Sequence, residues 1–374
     1  MENKLAFPVH GQGVFLFRSD SQSCKFNLWN SSKSDGFSVE CSLTTTRLTR
    51  NTKEVYSIAK GSLTNHVGGY SWLSLDSQNQ CIRLGIGEAR LETQVCVYQM
   101  KHDDKKFLED LRAIECLENV VGLRLLRDPI VRATPMLVAD VDDITMHLVA
   151  AGHKLPKANL SSEGQQLYHC ISGKQFVLND PSFRDFSKAI EYSIRTPGLW
   201  CYKTLKRKAD EFGKPNPEET YLRITLGENS GESPGVPYVM EIWPAGHYSP
   251  IHSHSAANAI IRVLHGSIHV SLYPFLCAEK DSVEPFAQVD FKKNDITWIS
   301  PTLNQVHQLK NITEKVCVTI QCYLYDTSDK KHYDYFDYLD ADGNKKKYEP
   351  DSDMDFLQFK ELMKKEWASA RKWC

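Results

Sequence analysis

The stretch GHYSPIHSHSAANAIIRVLHG, from Gly246 to Gly266, decides the interpretation of this chain. It places His252 and His254 two residues apart, and residues at that spacing point to the same face of an extended strand. Two imidazole nitrogens on one face can bind a single metal ion. The stretch therefore predicts a metal site, for which at least a third ligand must come from elsewhere in the chain.

The sequence around this stretch has the pattern of a two-sheet β domain. Strand-length apolar runs separated by turn residues continue from Tyr221: YLRITL, YVMEIWP, AIIRVLHGSIHVSLYPF, DITWISP and VCVTIQCYLY. Such a series predicts a sandwich or jelly roll. A jelly roll brings a later strand beside an earlier one, so we predict that the third ligand is His307, in PTLNQVHQLKN.

The remaining sequence predicts three further parts. Short apolar runs from about Val14 to Gln99 indicate an antiparallel β domain over residues 1–100. KKFLEDLRAIECLENVVGLRLL and FRDFSKAIEYSIR have apolar residues at helical spacing and indicate a mainly helical connector over 101–179. The jelly-roll β-barrel follows at 180–347, and a Lys-rich amphipathic helix is expected within 348–374. The predicted fold class is mainly β.

Composition and charge limit the class of protein. The chain has 374 residues, of which 41% are hydrophobic and 25% charged, as in ordinary globular proteins. Its 45 Lys and Arg against 47 Asp and Glu argue against nucleic-acid binding through bulk positive charge. No apolar run is long enough for a membrane helix, and MENKLAFPVH lacks a signal-peptide pattern. With eleven cysteines and no C-x-x-C, we expect reduced thiols and a cytoplasmic protein.

The motif spacing carries a family resemblance. G-x5-H-x-H-x11-G followed by H-x3-N resembles the two motifs of the cupin superfamily, although Ala259 stands where most cupins have a glutamate ligand. Over residues 180–347 the chain resembles the cysteine dioxygenase family of cupins more specifically. The segments that carry this resemblance are YLRITL, WPAGHYSPIHSHS, VHQLKNIT and VTIQCY.

This resemblance implies an activity and a cofactor. It implies a mononuclear iron thiol dioxygenase with Fe²⁺ held by His252, His254 and His307, acting on L-cysteine and O₂. Three neutral imidazoles leave the ion its full charge, so a thiolate substrate can bind with a depressed pKa. The resemblance alone favours iron, because imidazole does not discriminate between transition metals.

The same resemblance assigns roles to four further residues. Arg223 would pair with the substrate carboxylate as a bidentate guanidinium, with Tyr221 beside it. Tyr323 would be catalytic, and Gln321 would bind substrate from the same face of the same strand, two residues away. Tyr325 remains an alternative to Tyr323 as the tyrosine that faces the site.

Two positions depart from the family pattern. In animal cysteine dioxygenases the position of Ala259 is a cysteine that cross-links to the active-site tyrosine. Cys317 or Cys322 could replace that partner, although both also fit as small core residues. Gln321 stands where the family has a histidine that orients the tyrosine, and an amide does not change charge near neutral pH.

Two other functions remain open at this stage. The thiol could be 3-mercaptopropionate or cysteamine instead of cysteine, although Arg223 favours a carboxylated thiol. Alternatively, the domain could be a cupin without catalytic activity that binds a ligand or a partner.

The N-terminal β domain has a fainter resemblance of its own. EVYSIAKG and GGYSWLSLDSQNQCIRLGIGEA, at 54–61 and 68–89, are similar to the farnesoic-acid O-methyltransferase-like domain, as is residue range 14–99 in outline. There is no glycine-rich cofactor loop to support methyl transfer. We therefore expect a module that binds an unknown ligand or protein.

Weaker patterns have simpler explanations. His247, His265 and His269 flank the motif, but each is expected to lie outside the metal site. DADGNKKKYEPD, from Asp340, imitates a calcium loop but lacks its glycine and glutamate, so a hairpin turn at Asp342-Gly343 is the better interpretation.

Overall fold

The structure is a computed structural model that describes residues 4–66, 68–101, 104–227, 238–278, 283–325 and 335–371. The chain divides into two compact units, Met1–Ala133 and Thr134–Cys374. Both are built mainly from antiparallel β-strands, so the predicted fold class is confirmed. Among the described residues, no helix is long and apolar enough to cross a membrane.

The first unit is a β-sandwich of two antiparallel sheets. Their strand orders are β1-β10-β3-β4-β5-β6 and β11-β2-β7-β8-β9. The Phe17 and Phe26 rings, one from each sheet, meet edge to face at 4.7 Å within the apolar core. The elements are β1 (Lys4–Ala6), β2 (Gln12–Arg18), β3 (Ser23–Trp29), β4 (Gly36–Ser42), β5 (Thr46–Arg50), β6 (Lys53–Ile58), β7 (Ser71–Asp76), β8 (Cys81–Ile86), β9 (Gln94–Gln99), α1 (Lys105–Asp110), β10 (Ala113–Glu118) and β11 (Val121–Leu125).

The prediction of a mainly helical connector over 101–179 is wrong for its first third. Only α1 is helical there, and the rest of the 105–126 segment forms β10 and β11. β10 pairs with β1 and β3, and β11 pairs with β2, so both strands complete the first unit. The segment has a helix-like apolar spacing, but sheet edges offer its backbone partners and buried faces, and such tertiary pairing overrides local preference.

The second unit contains the strands predicted from Tyr221 onward and the helices that precede them. Its boundary with the first unit lies at 133/134 instead of the predicted 100/101 and 179/180. The elements are β12 (Leu137–Ala139), α2 (Met146–Ala150), β13 (Lys154–Pro156), α3 (Ser162–Ile171), α4 (Phe186–Arg195), α5 (Trp200–Arg207), β14 (Leu222–Gly227), β15 (Tyr238–Trp243), β16 (His252–Ser253), β17 (Ala257–His265), β18 (Ser267–Tyr273), β19 (Ala287–Lys292), β20 (Ile296–Ile299), β21 (Val306–Lys310), β22 (Cys317–Tyr325), β23 (Phe336–Leu339), β24 (Lys345–Tyr348), β25 (Met354–Asp355) and α6 (Phe356–Arg371).

The strands of the second unit form a jelly roll. One sheet has the order β13-β12-β20-β17-β22-β15-β14-β25, and the other has the order β19-β18-β21-β16-β23-β24. From β15 to β23 the chain crosses repeatedly from one sheet to the other, which is the winding of a jelly roll. The prediction of a jelly roll is therefore confirmed. We call the two sheets the first and second barrel sheets.

Helices cover the outer face of the first barrel sheet. Phe186 of α4 and Phe359 of α6 are fully buried against that face, in one core with Ile260 and Ile320. The structure has a C-terminal helix, α6, in the predicted range, and this helix contributes Phe359 and Met363 to the core. Arg262 of the sheet donates to the carbonyl groups at the end of α3, which satisfies acceptors that a helix end leaves open.

Two residues of the sequence motif have structural roles. Gly266 joins β17 to β18 with φ of 73°, and a Cβ atom there would lie 2.7 Å from the Val316 carbonyl oxygen. Asn311 donates from its amide to the carbonyl groups of Trp243 and Lys315, both at 2.8 Å. Gly266 thus permits the tight turn between β17 and β18, and Asn311 holds the turn that follows β21, the strand that carries His307.

Candidate metal centre

Three histidines of the second barrel sheet come together inside the barrel. His252 on β16 pairs in register with His307 on β21, and His254 follows directly after β16. Each side chain belongs to a residue that is only 6% exposed. One nitrogen of each ring lies within 4.8 Å of the other two. The structure thus brings together the three histidines that the sequence analysis assigned to one site.

Backbone carbonyl groups orient two of the rings. His252 Nδ1 lies 3.0 Å from the Pro250 oxygen, and His307 Nδ1 lies 3.2 Å from the Asn304 oxygen. A carbonyl can only accept, so each Nδ1 donates and each Nε2 keeps a lone pair that can bind a metal. Burial lowers the pKa of His307 to about 4 and that of His252 well below its usual value. Neutral imidazoles with fixed tautomers fit a metal ion, so this cluster could hold one.

The other nearby histidines stay outside the cluster, as expected. His269 makes a 2.7 Å contact with the Asp290 carboxylate on β19. His247 contacts the carbonyl of Thr220 through Nδ1 at 2.9 Å. Within the described part of the chain, the three-histidine cluster is the one group of three or more possible metal ligands.

The predicted substrate residues line the same cavity as the histidines. The cavity has a volume of about 120 Å³, room for several water molecules or a small ligand. Arg223, Gln321 and Tyr323 project into it from the first barrel sheet, and Tyr221 lies beside them. We call Arg223, Glu241, Gln321 and Tyr323 the polar wall, and His252, His254 and His307 the histidine wall.

Tyr323 is the tyrosine in contact with the histidine wall. Its ring centroid lies 5.1 Å from that of His254, and its hydroxyl donates to Gln321 Oε1. Tyr325 also lines the cavity, nearer the end of β22.

The structure also places the residues proposed for a cross-link. Ala259 is the direct register partner of Tyr323 and is fully buried. Cys322 points to the opposite face, where its sulfur lies 3.5 Å from the Leu167 oxygen. Cys317 lies at the far end of β22, paired with Trp243. Neither sulfur therefore occupies the position beside Tyr323 that Ala259 fills.

A segment before α6 holds Arg223 in place. Asp353 accepts from the Arg223 backbone N–H and donates its own N–H to the Arg223 oxygen, both at 2.8 Å. The guanidinium Nη1 donates to the Pro350 carbonyl. The buried Lys208 ammonium, 3.0 Å from the Asp353 carboxylate, neutralises that group. β25, at the end of this segment, pairs in parallel with β14, the strand that carries Arg223. We call residues 350–355 the strap.

Glu241 is a site residue that the sequence analysis missed. It pairs in register with Arg223 on one side and Thr319 on the other, it lines the cavity, and it accepts from Gln321 Nε2. Burial raises the pKa of Glu241 to about 7, against the opposing effects of Arg223 and the hydrogen bond from Gln321. The sequence signal for this site residue was a glutamate inside the apolar run YVMEIWP, because a carboxylate is rarely buried unless it has a partner.

The remaining lining of the cavity is mostly apolar. It comes largely from the second barrel sheet, through Ile268, Val270, Leu272, Val289, Phe291 and Leu309. A ligand at the metal cluster would thus meet polar groups on one side and hydrocarbon on the other.

The segment that imitates a calcium loop forms a hairpin, as predicted. The Asp340 carboxylate accepts from the backbone N–H groups of Asp342 and Asn344, at 3.0 and 2.8 Å. This turn joins β23 to β24.

Comparisons with known proteins add little beyond the topology. No protein-family model and no curated protein matches the chain. Similar solved structures include a cupin domain of Cnp3 from Schizosaccharomyces pombe, with 17% identity over 29% of this chain and 66% of that one and a TM-score of 0.23. An oxalate oxidase bound to glycolate has 14% identity over 29% and 52%, with a TM-score of 0.24. A cupin superfamily protein from Desulfitobacterium hafniense has 13% identity over 29% and 81%, with a TM-score of 0.22.

These likenesses cover only part of each molecule. The chain spans about two thirds and about half of the lengths of the first two structures. Their TM-scores are too low to carry an argument, so the assignment depends on the strand winding and the histidines described above. Those features define the second unit as a jelly-roll domain with a candidate metal centre.

Proposed function

We propose that the second unit is a cupin domain and a mononuclear non-haem iron thiol dioxygenase, which adds both atoms of O₂ to the sulfur of a small thiol. L-Cysteine is the leading substrate and cysteine sulfinate the product. The observation that carries the proposal is the buried three-histidine cluster, which shares its cavity with Arg223. The sequence resemblance adds that Ala259 stands where most cupins have a carboxylate ligand.

The histidine wall fits the proposed Fe²⁺. His252 and His307 would hold the ion through Nε2, because backbone carbonyl groups keep them in the required tautomer, and His254 would supply the third imidazole nitrogen. Bound iron would supply a site that activates O₂ next to a thiolate of lowered pKa. The resemblance to cysteine dioxygenases remains the reason to prefer iron to another transition metal.

Arg223 supports a thiol that also carries a carboxylate. Its guanidinium lines the cavity, and one nitrogen is held by the Pro350 carbonyl. The remaining N–H groups can bind a carboxylate, which orients the sulfur of a short substrate relative to the histidines. This favours cysteine and 3-mercaptopropionate over cysteamine, which has no carboxylate.

Tyr323 supports the proposal through its position. Its ring packs against His254, and its hydroxyl lies inside the cavity wall, hydrogen-bonded to Gln321. A hydroxyl at this place can form a hydrogen bond with a ligand bound beside the histidines and stabilise charge that develops there.

A second candidate is a cupin that binds a ligand without catalysis. The apolar lining from β18, β19 and β21 favours it, because a small zwitterion would leave that surface without a contact. For the first unit we propose a binding module for a ligand or a protein, based only on its sequence resemblance.

Oxygen uptake by the Fe²⁺-loaded protein tests the proposal. Cysteine, 3-mercaptopropionate and cysteamine are compared in wild type, His252→Ala and the matched control His269→Ala, whose imidazole pairs with Asp290 away from the cavity. We expect uptake with cysteine and sulfinate formed at one per O₂, lost in His252→Ala and kept in His269→Ala. A metal-loaded wild type that consumes no O₂ with any of the three thiols contradicts the proposal and favours the ligand-binding candidate.

A further inference from the structure

The polar wall contains a continuous chain of side-chain hydrogen bonds. Tyr323 donates its hydroxyl proton to Gln321 Oε1, and Gln321 donates from Nε2 to the Glu241 carboxylate. Gln321 Nε2 also lies 3.3 Å from Thr319 Oγ1, which in turn is 3.3 Å from Trp243 Nε1. All of these side chains are buried, so water competes little for their hydrogen bonds.

The donor-to-acceptor direction of these hydrogen bonds follows from the chemistry of the Glu241 carboxyl group. An ionised carboxylate can only accept hydrogen bonds, so an ionised Glu241 requires the NH₂ end of Gln321. The oxygen end of Gln321 then faces Tyr323, which must donate to it. In this state the Tyr323 hydroxyl has only lone pairs to offer the cavity.

A protonated Glu241 allows the opposite direction. Its O–H can donate to Gln321 Oε1 once the amide has turned over, and the Thr319 hydroxyl can rotate to donate to the same oxygen. Gln321 Nε2 then donates to the Tyr323 oxygen, so the Tyr323 proton points into the cavity. One proton is added to Glu241, and every other group keeps its protons and changes only its orientation.

We propose that Glu241 is a positioning residue which, through Gln321, determines whether Tyr323 presents its proton or its lone pairs to the ligand at the metal cluster. The importance of this switch for catalysis depends on the proposed dioxygenase function, but its existence does not. Gln321 therefore does not simply replace a histidine: it transmits the state of a carboxyl group located one strand away.

The surroundings of Glu241 place its titration near neutral pH. Burial raises its pKa to about 7, while Arg223 on β14 and Lys208 after α5 favour the ionised form. Among the described residues, Tyr221 and Tyr323 also interact with Glu241, and burial raises the pKa of both phenols, so they stay neutral. Tyr323 therefore points its proton into the cavity when the pH is below about 7, where Glu241 is protonated.

The metal-free protein provides the first test, which does not require activity. We would label tyrosine at Cζ with ¹³C, assign the Tyr323 signal with Tyr323→Phe, and follow its chemical shift from about pH 5.5 to 9. We expect one transition near pH 7 in the wild type. It should vanish in Glu241→Gln and in Gln321→Leu, which removes the link but keeps the carboxyl group.

The matched control is Glu211→Gln, a half-buried carboxyl group whose pKa is also raised by burial and which accepts from Tyr348 outside the cavity. It should leave the Tyr323 transition in place. A Tyr323 signal that does not change with pH, or a transition that survives in Glu241→Gln with the other tyrosine signals intact, overturns the proposal.

The second test concerns catalysis. If the Fe²⁺-loaded wild type consumes thiol, its kcat should change about fivefold as pH crosses 7, the effect of one hydrogen bond, and Glu241→Gln should flatten that profile. An identical profile in both proteins contradicts a role in turnover. If no thiol is consumed, the dioxygenase proposal fails, while the NMR experiment still decides the switch.

Discussion

The two walls of the cavity are held in different ways. In the histidine wall, His252 and His307 are fixed by backbone carbonyl groups that lie just before their own strands. In the polar wall, Tyr323, Gln321 and Glu241 hold one another through side chains. Backbone carbonyl groups cannot change protonation state or turn over, whereas an amide can turn over and a carboxyl group can titrate.

This difference implies that the histidine wall would set metal affinity, whereas the polar wall would set which ligand binds and how binding depends on pH. The histidine wall offers the same donor atoms as long as the sheet is folded. The polar wall can take two hydrogen-bond arrangements with the same backbone. We therefore expect substitutions in the first wall to act on metal affinity and substitutions in the second to act on ligand choice, pH dependence and stability.

The largest expected effect is on metal binding. His252→Ala removes one of three donors, and each ligand of a structural metal site contributes about 3–4 kcal/mol. Titration of the metal-free protein with Co²⁺, followed by its visible spectrum, should show an affinity several hundred-fold lower. His269→Ala should bind like the wild type. Equal affinity of His252→Ala and wild type would show that the metal binds elsewhere.

The next largest effect is on stability, and it depends on pH. The pKa of Glu241 is raised from 4.5 to about 7 in the folded protein, so folding is favoured below pH 4.5 and loses this contribution as pH rises through 7. Glu241→Gln, which cannot ionise, should therefore raise the free energy of unfolding at pH 8 by up to about 3 kcal/mol. Urea unfolding of the metal-free protein at pH 8 and pH 5 measures the difference, which should be much smaller at pH 5. An equal change at both values would show that Glu241 is ionised in neither or in both.

Substitution of Arg223 tests whether the polar wall selects the ligand. A charge-assisted hydrogen bond contributes about 2 kcal/mol, so Arg223→Met should lower kcat/KM for cysteine about 30-fold. Turnover of cysteamine should not fall, and Co²⁺ affinity should stay as in the wild type. Equal losses for both thiols would place Arg223 in a general structural role.

The smallest effect is a coupling energy within the polar wall. A double-mutant cycle of Glu241→Gln and Tyr323→Phe, measured by urea unfolding at pH 8, should give a coupling of about 1 kcal/mol through Gln321. The same cycle with Glu211→Gln should give none. Additive effects in the first cycle would mean that Gln321 does not connect the two residues.

The histidine wall can be predicted from the sequence, whereas most of the polar wall cannot. The reason is that the histidines form a local motif, while Glu241 depends on neighbouring strands. The histidines lie within one strand segment and one later strand, and the spacing of the motif alone indicates a shared face. Glu241 acts only through cross-strand neighbours, Arg223 and Thr319, and its partner Gln321 lies 80 residues later. Register between strands is set by the whole sheet, so no local pattern reveals it.

The misassigned segment at 105–126 reflects a similar limit. Its apolar residues are spaced as in a helix, and α1 forms at its start, but β10 and β11 gain partners from strands near the N-terminus. Pairing across more than 80 positions of sequence outweighs local spacing and cannot be read from a window of the sequence.

The strap gives the end of the chain control over substrate recognition. Its hydrogen bonds anchor Arg223, and it leads directly into α6, which buries Phe359 and Met363 against the first barrel sheet. His252 and His307 are oriented instead by the carbonyl groups of Pro250 and Asn304, which lie outside the strap. If the histidine cluster binds a metal as proposed, partial unfolding that begins at α6 would leave the metal bound but release Arg223, so the preference for thiols that carry a carboxylate would be lost at a lower temperature than the metal.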